Sequence, residues 1–227
     1  MILVIAIVAL LALLIGPNLW VKRVLKKNNN ERNDLPGTGA ELATHLMKRF
    51  ELTDVTLETT EKGDHYDPTS RTIRLTPSVY NGKSLTAIAT SAHEFGHALQ
   101  HHKSYKPLLT RTAMAKQAYY VQNAASIALL LIPFLSMIPG LAIFARAVLV
   151  FVVGSMFFSA IIHLVTLPVE FDASFGRALP ILQQGDYVDQ KDFGTVRKIL
   201  LACALTYVSQ AMIGALNFGR WIRMLRR

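Results

Sequence analysis

Five consecutive residues, His93-Glu94-Phe95-Gly96-His97, have types and a spacing that can carry chemistry. They lie in a stretch whose composition predicts a helix, and helical residues four apart lie one above the other on the same face. His93 and His97 can therefore offer two imidazole nitrogens to one metal ion, with Glu94 beside them as a general base. This pattern is typical of zinc metalloproteases, in which the glutamate accepts a proton from water that the zinc activates.

Two histidines do not complete such a site, because a catalytic zinc needs a third protein ligand and one open position. His101 lies on the same predicted face, but about 12 Å from His93 along a straight helix, so we expect it outside the ligand set. Two later acids, Glu170 and Asp172, are the remaining alternatives, although a carboxylate at that position can also simply face water. We favour Glu170, because a later helix can bring a glutamate ligand to the two histidines.

Three further residues near these motifs receive weaker predictions. His163 lies inside an apolar stretch, where polar packing against another helix explains it better than catalysis does. His65 stands in a polar cluster that turn formation explains equally well. Gly96 in mid-helix costs about 1 kcal/mol relative to alanine, so we expect another backbone to approach the helix closely there.

The apolar residues of this 227-residue chain are concentrated at 1–20, 119–168 and 199–218. Each stretch contains a segment long enough to cross the hydrocarbon core of a bilayer. We predict a retained N-terminal transmembrane anchor at 1–21, a transmembrane hairpin at 119–168, and a C-terminal membrane helix with a basic tail at 198–227. The single cysteine, Cys203, excludes an internal disulfide and agrees with a reducing compartment.

The net charge of +9 comes mainly from basic residues at the ends of the apolar segments. This placement favours contact with lipid headgroups, and no nucleic-acid-binding module accompanies it, so we predict a lipid bilayer and no nucleic acid among the partners. Basic residues directly after the first span place residues 22–118 in the cytoplasm by the positive-inside rule.

The polar parts of the chain predict a small catalytic domain at 22–118 that contains the motif-bearing helix. Thr38 and Glu41 form a capping-box pattern, and Val55–Leu57 and Thr72–Leu75 alternate like strands of a short antiparallel sheet. A cytoplasmic segment at 169–197 would carry the third zinc ligand. The predicted fold is a mainly α membrane protein, with about four transmembrane or membrane-associated helices and a small zincin-like α+β catalytic domain.

Three motifs occur in order along the chain: Asp64-His65-Tyr66-Asp67-Pro68, Ser91-Ala92-His93-Glu94-Phe95-Gly96-His97-Ala98, and Leu167-Pro168-Val169-Glu170-Phe171-Asp172-Ala173-Ser174. Over nearly its whole length the chain resembles the YugP-type membrane zinc metallopeptidases of bacteria. These are similar in layout to the HtpX-type and CAAX-processing membrane peptidases, whose third ligand is a glutamate after a membrane hairpin.

The resemblance implies one zinc ion per chain, bound by His93, His97 and Glu170, with Glu94 as the base. One position departs from the pattern. The relatives place an aspartate four residues after the ligand glutamate, where this chain has Ser174. Either Asp172 takes over the orienting contact or that contact is absent.

The sequence therefore predicts a zinc-dependent endopeptidase of the bacterial inner membrane, multi-pass and with its catalytic domain facing the cytoplasm. Its substrates would be membrane or membrane-proximal proteins or peptides, and its oligomeric state stays open. The alternatives are a non-catalytic zinc-binding membrane adaptor and a membrane-protein quality-control factor. Intact Glu94 counts against the adaptor, because a structural zinc site needs no base.

Overall fold

The computed structural model describes residues 1–138 and 140–206, and it is mainly helical with one small sheet. The elements are α1 (Ile2–Lys27), α2 (Gly39–Arg49), β1 (Thr56–Thr59), β2 (His65–Asp67), β3 (Thr72–Leu75), α3 (Pro77–Tyr80), α4 (Leu85–His102), α5 (Lys106–Met137), α6 (Ala142–Phe171), a π-helix (Asp172–Ala178), α7 (Leu179–Gln184), a 3-10 turn (Gln190–Asp192) and α8 over 193–206. The predicted membrane helix at 199–218 lies outside the described residues from 207 onward, as does the basic tail.

The chain divides into two compact units. One consists of Met1–Tyr105 together with Leu167–Arg227, as far as residue 206, where the described part ends. It holds the sheet, α4 and the last turn of α6, and so all the residues predicted to form the site. The other unit, Lys106–Thr166, contains α5 and most of α6.

Two helices in the described residues are long and apolar enough to cross a membrane, over Lys106–Met137 and Ile143–Gln184. Many of their large apolar side chains are exposed, which suits lipid better than water. These include Ile127, Leu130, Phe134, Val150, Phe157 and Leu164. The predicted number of about four membrane helices is too high for the described part. The last predicted segment extends beyond residue 206, where the described part ends, and α1 is not among the two helices found in the described residues.

The C-terminal end of α1 contacts the first turn of α4. The Thr86 hydroxyl donates to the Leu25 carbonyl at 2.8 Å, and the Thr86 amide donates to the Asn28 carbonyl at 3.1 Å. The Ser84 hydroxyl donates to Asn29 Oδ1 at 2.9 Å. Carbonyls left unpaired at the end of one helix thus meet an amide left unpaired at the start of another. The residues after α1 are therefore fixed against α4 and do not form a free linker.

The sheet has three strands in the order β1-β3-β2, and it is mixed. β1 runs parallel to β3, with Thr56 opposite Thr72, whereas β2 runs antiparallel to β3, with Tyr66 opposite Ile73. The prediction of an antiparallel sheet is therefore wrong for the β1–β3 pair. The chain leaves β1, reverses into β2 and reverses again into β3, so β1 and β3 point the same way. Three residues between turn signals were too few for β2 to be predicted.

Helix α4 lies at the centre of the first unit and is buried along its length from Leu85 to Gln100. Ile73 and Leu75 of β3 and Phe95 of α4 are all 0% exposed and belong to one hydrophobic core. A helix buried on every face has no solvated side for polar groups. Each polar side chain of α4 must therefore find a partner inside the protein.

Candidate metal centre

The buried helix α4 carries three ionisable side chains in its middle turns. His93, Glu94 and His97 are 3%, 6% and 7% exposed. The four-residue spacing places the two imidazoles on one face, and their rings lie edge to face with centroids 4.7 Å apart. Burial of three such groups in an apolar helix is costly without compensating charge or hydrogen bonds.

Glu170, in the last turn of α6, supplies a carboxylate to both histidines. Its Oε2 lies 3.3 Å from His93 Nε2 and 3.2 Å from His97 Nε2. Two donors bound to one tetrahedral zinc at 2.0–2.1 Å are about 3.3–3.4 Å apart. The three side chains form a group whose ligand atoms all lie within 4.8 Å of one another. The spacing therefore fits three ligands of one tetrahedral ion.

The second oxygen of Glu170 provides a separate test of whether a cation belongs here. Glu170 is 0% exposed, and its Oε1 is buried with no hydrogen-bond partner among the described residues. An unpaired buried carboxylate oxygen normally costs 1–3 kcal/mol or more. A metal ion bound at this group would supply the missing positive charge, so the residues present fit zinc.

Asp172, the alternative third ligand, lies away from the histidines. Its Oδ2 accepts hydrogen bonds from Gln100 Nε2 and from Arg177 Nε, both at 2.7 Å. The structure thus brings Glu170, and not Asp172, to the histidines. The hydrogen bonds from Gln100 and Arg177 satisfy the Asp172 carboxylate without a metal ion.

Ser174, four residues after Glu170, itself contacts His93, so the contact that we expected either to be absent or to be taken over by Asp172 is made by the serine. Its Oγ lies 2.9 Å from His93 Nδ1, and its hydroxyl donates to the Leu200 carbonyl at 2.9 Å. Because that carbonyl can only accept, the serine proton points to it and a lone pair faces the imidazole. Nδ1 of His93 must then carry its proton, which leaves Nε2 free for a metal.

Gly96 lies where the π-helix crosses α4. A Cβ added at Gly96 would meet the Ala173 carbonyl oxygen at 2.6 Å, a distance that real side chains do not tolerate. The expected close backbone approach therefore exists, and it holds the residues after Glu170 against the two histidines.

We expect Gly96→Ala to destabilise the protein by about 1–3 kcal/mol, because the backbone at Ala173 must move away. The matched control is Gly154→Ala, since Gly154 is also in mid-helix but no atom of the described residues lies within 4 Å of its added Cβ. Alanine there should be neutral or stabilise by about 0.5–1 kcal/mol. Thermal unfolding in detergent measures both, and equal midpoints for the two variants would contradict the explanation.

The electrostatics of the site raise two pKa values. Burial raises the pKa of the Glu94 carboxyl above its usual range, against the attraction of His93 and His97. Burial alone would lower the pKa of His97, but the Glu170 carboxylate, together with Glu94 and the hydrogen bond to Gln100, outweighs it, so the pKa lies above its ordinary value. A glutamate with a raised pKa is a stronger proton acceptor than an exposed one, which suits a general base.

The other histidines singled out from the sequence lie elsewhere. His101 Nδ1 lies 2.8 Å from the Tyr66 hydroxyl oxygen, and His65 Nδ1 lies 2.8 Å from the Gly63 carbonyl oxygen. His163 belongs to the other unit. Among the described residues, none of these three histidines belongs to the candidate metal site formed by His93, His97 and Glu170.

Sequence reasoning did not identify Gln100 as part of the site. Its Oε1 lies 3.0 Å from His97 Nδ1, and it is 0% exposed. The available signal was an uncharged polar residue three positions after the second histidine of a helix with an apolar composition. Such a residue needs a partner when the helix is buried.

Comparisons with known proteins show the family to which the chain belongs. Residues 1–226 match the family described as "Putative neutral zinc metallopeptidase". The chain is 34% identical over 218 residues to the "Putative membrane protease YugP" of Bacillus subtilis (strain 168), covering 92% of this chain and 91% of that protein. No solved structure matches the chain. The family match over nearly the whole chain shows that this protein belongs to the neutral zinc metallopeptidase family of that description.

Proposed function

We propose that this protein is a zinc-dependent endopeptidase of the membrane, with one zinc ion held by His93, His97 and Glu170. The observation that carries the proposal is the convergence of the two Nε2 atoms on Glu170 Oε2, at 3.3 and 3.2 Å. The buried Glu170 oxygen that has no partner among the described residues supports it, as does the family membership.

The bound zinc would supply Lewis acidity toward a water molecule and toward the carbonyl of the peptide bond. Glu94 then accepts the proton of the attacking water and delivers it to the leaving amine. His93 and His97 would each bind the metal through Nε2, because the hydrogen bonds of both Nδ1 atoms favour the tautomer that carries its proton on Nδ1. The burial of these side chains limits competing bulk water around the reacting groups.

The membrane setting makes membrane or membrane-proximal proteins the proposed substrates. α6 is helical from Ala142 to Phe171, so a helix apolar enough to span a bilayer also carries Glu170 near its end. A substrate segment close to the bilayer surface would reach such a site most readily. The proposed location is the bacterial inner membrane, multi-pass. The catalytic unit would face the cytoplasm, because Lys22, Arg23, Lys26 and Lys27 follow the first apolar segment.

Metal removal tests the proposal on the full-length protein in detergent. We expect about one zinc per chain, cleavage of an unfolded membrane-anchored test protein, loss of that cleavage with a chelator, and its return with added zinc. The matched comparison is protein carried through the same treatment without chelator. Zinc binding with no cleavage of any unfolded substrate would favour the adaptor, and absence of zinc binding would refute the metal site itself.

A further inference from the structure

Gln100 makes three hydrogen bonds from a fully buried side chain. Its Oε1 lies 3.0 Å from His97 Nδ1, and its Nε2 donates to the Val169 carbonyl at 2.8 Å and to Asp172 Oδ2 at 2.7 Å. A side-chain amide has one oxygen and two N–H donors, so both donors are used. One side chain of α4 is therefore bonded to residues on either side of Glu170 and to a histidine of the candidate zinc site.

These contacts fix the orientation of the amide. A backbone carbonyl can only accept, so the NH₂ group must face Val169 and the oxygen must face His97. An amide oxygen also only accepts, which requires His97 Nδ1 to be the donor. His97 is thus held with a proton on Nδ1 and with Nε2 facing Glu170 Oε2, so Nε2 is the nitrogen that it offers to a metal.

Asp172 keeps the amide from turning over. Arg177 Nε donates to Asp172 Oδ2 at 2.7 Å, and the guanidinium of Arg177 lies 5.3 Å from the centre of the Tyr105 ring. The arginine holds the carboxylate in place as an acceptor, and the aromatic ring holds the arginine. The hydrogen bonds run from Arg177 through Asp172 and Gln100 to His97.

We propose that Gln100 is a positioning residue that fixes the tautomer and ring orientation of His97 for zinc and joins α4 to the backbone flanking Glu170. The proposal rests on the proposed zinc site but not on peptide hydrolysis. Outer partners of metal-bound histidines are typically worth 10–100-fold in metal affinity. A carboxylate in place of the amide would lack the donors for Val169 and would place a second negative charge beside Asp172.

The test is zinc affinity of the full-length protein in detergent, measured by competition with a chromophoric chelator. We expect Gln100→Leu, which keeps a similar volume but no hydrogen bonds, to bind zinc 10–100-fold more weakly. Thr90→Val is the matched control, because Thr90 is a buried polar residue of the same helix, 5% exposed. Its hydroxyl contacts the Cys203 thiol and not a candidate zinc ligand. The control should bind zinc as the wild type does.

A second measurement separates positioning from folding. The absorption spectrum of bound Co²⁺ reports the geometry of the ligands, and we expect Gln100→Leu at saturating Co²⁺ to differ from the wild type while Thr90→Val does not. If Gln100→Leu fails to fold, Asp172→Asn decides, since it keeps the volume, removes the charge that orients the amide, and should weaken zinc binding several-fold. Zinc affinity within twofold of the wild type in the folded variant overturns the proposal. A wild type that binds no zinc refutes the metal site instead.

Discussion

Glu94→Gln is expected to keep its zinc and to lose peptide cleavage by about 10²–10⁴-fold, the usual contribution of a general base. Glutamine has nearly the size of glutamate but cannot accept the proton of the attacking water. Glu94 is outside the group of candidate ligands, so the ion should stay. The measurement pairs the zinc content of purified variants with cleavage of an unfolded membrane-anchored protein.

The control for this substitution is the same chemical change at a distant carboxylate. Glu58→Gln alters an exposed side chain of β1 that pairs with Arg74, and we expect wild-type cleavage from it. Equal cleavage by wild type and Glu94→Gln would refute the enzyme and favour the adaptor or the quality-control factor. Loss of zinc together with cleavage would show that Glu94 holds the metal and would contradict its assignment as base alone.

The motif-bearing helix was predictable because its signals are local. The spacing of His93 and His97 and the apolar residues around them set a helix with two imidazoles on one face, and α4 contains both. Glu170 could be proposed because it follows a long apolar helix, but its distance to the histidines is a tertiary fact. Sequence reasoning favoured Glu170 over Asp172, the resemblance implied the same residue, and in the structure its Oε2 faces both Nε2 atoms.

The residues after Glu170 show why the rest was out of reach. Three consecutive residues face α4: Asp172 bonds Gln100, the carbonyl of Ala173 approaches Gly96, and Ser174 contacts His93. In an α-helix the side chains of residues two apart, such as Asp172 and Ser174, point to nearly opposite sides, and the contact of Ala173 is made by its backbone carbonyl. The wider π-helix of this segment turns them more slowly, and such turns are frequent at functional sites. No periodicity of the sequence distinguishes this turn from a continuation of α6.

The sheet shows a second limit. β1 and β3 have the alternation of strands, but alternation carries no information on relative direction. That direction depends on β2, whose three residues lie between Gly63 and Pro68 and resemble a turn. The Asp67 carboxylate accepts bonds from the Thr69 amide and the Ser70 hydroxyl, so the turn signal was real, and the strand lay directly beside it.

Glu170→Ala is expected to abolish stable zinc binding, with a loss of affinity greater than about 100-fold, the upper end for outer-shell partners. Two imidazoles alone do not make a catalytic zinc site, and the alanine removes the oxygen that both Nε2 atoms face. Cleavage should fall with the zinc. Chelator competition and metal analysis of the purified full-length variant measure both effects.

Asp172→Asn is the matched comparison, because it alters the other acid of the same segment, whose carboxylate contacts Gln100 and Arg177 and not the histidines. It should keep one zinc per chain, with an affinity lowered only through Gln100. Unchanged zinc content in Glu170→Ala would contradict the assignment of Glu170 as the third ligand. Loss of zinc in Asp172→Asn alone would assign that role to Asp172 instead.

The stability of the zinc-free proteins provides a second check on the role of Glu170. One oxygen of the buried Glu170 carboxylate has no partner in the part of the chain that the structure describes, so alanine removes an unpaired buried acceptor. Glu170→Ala should therefore destabilise the zinc-free protein less than the zinc-loaded protein.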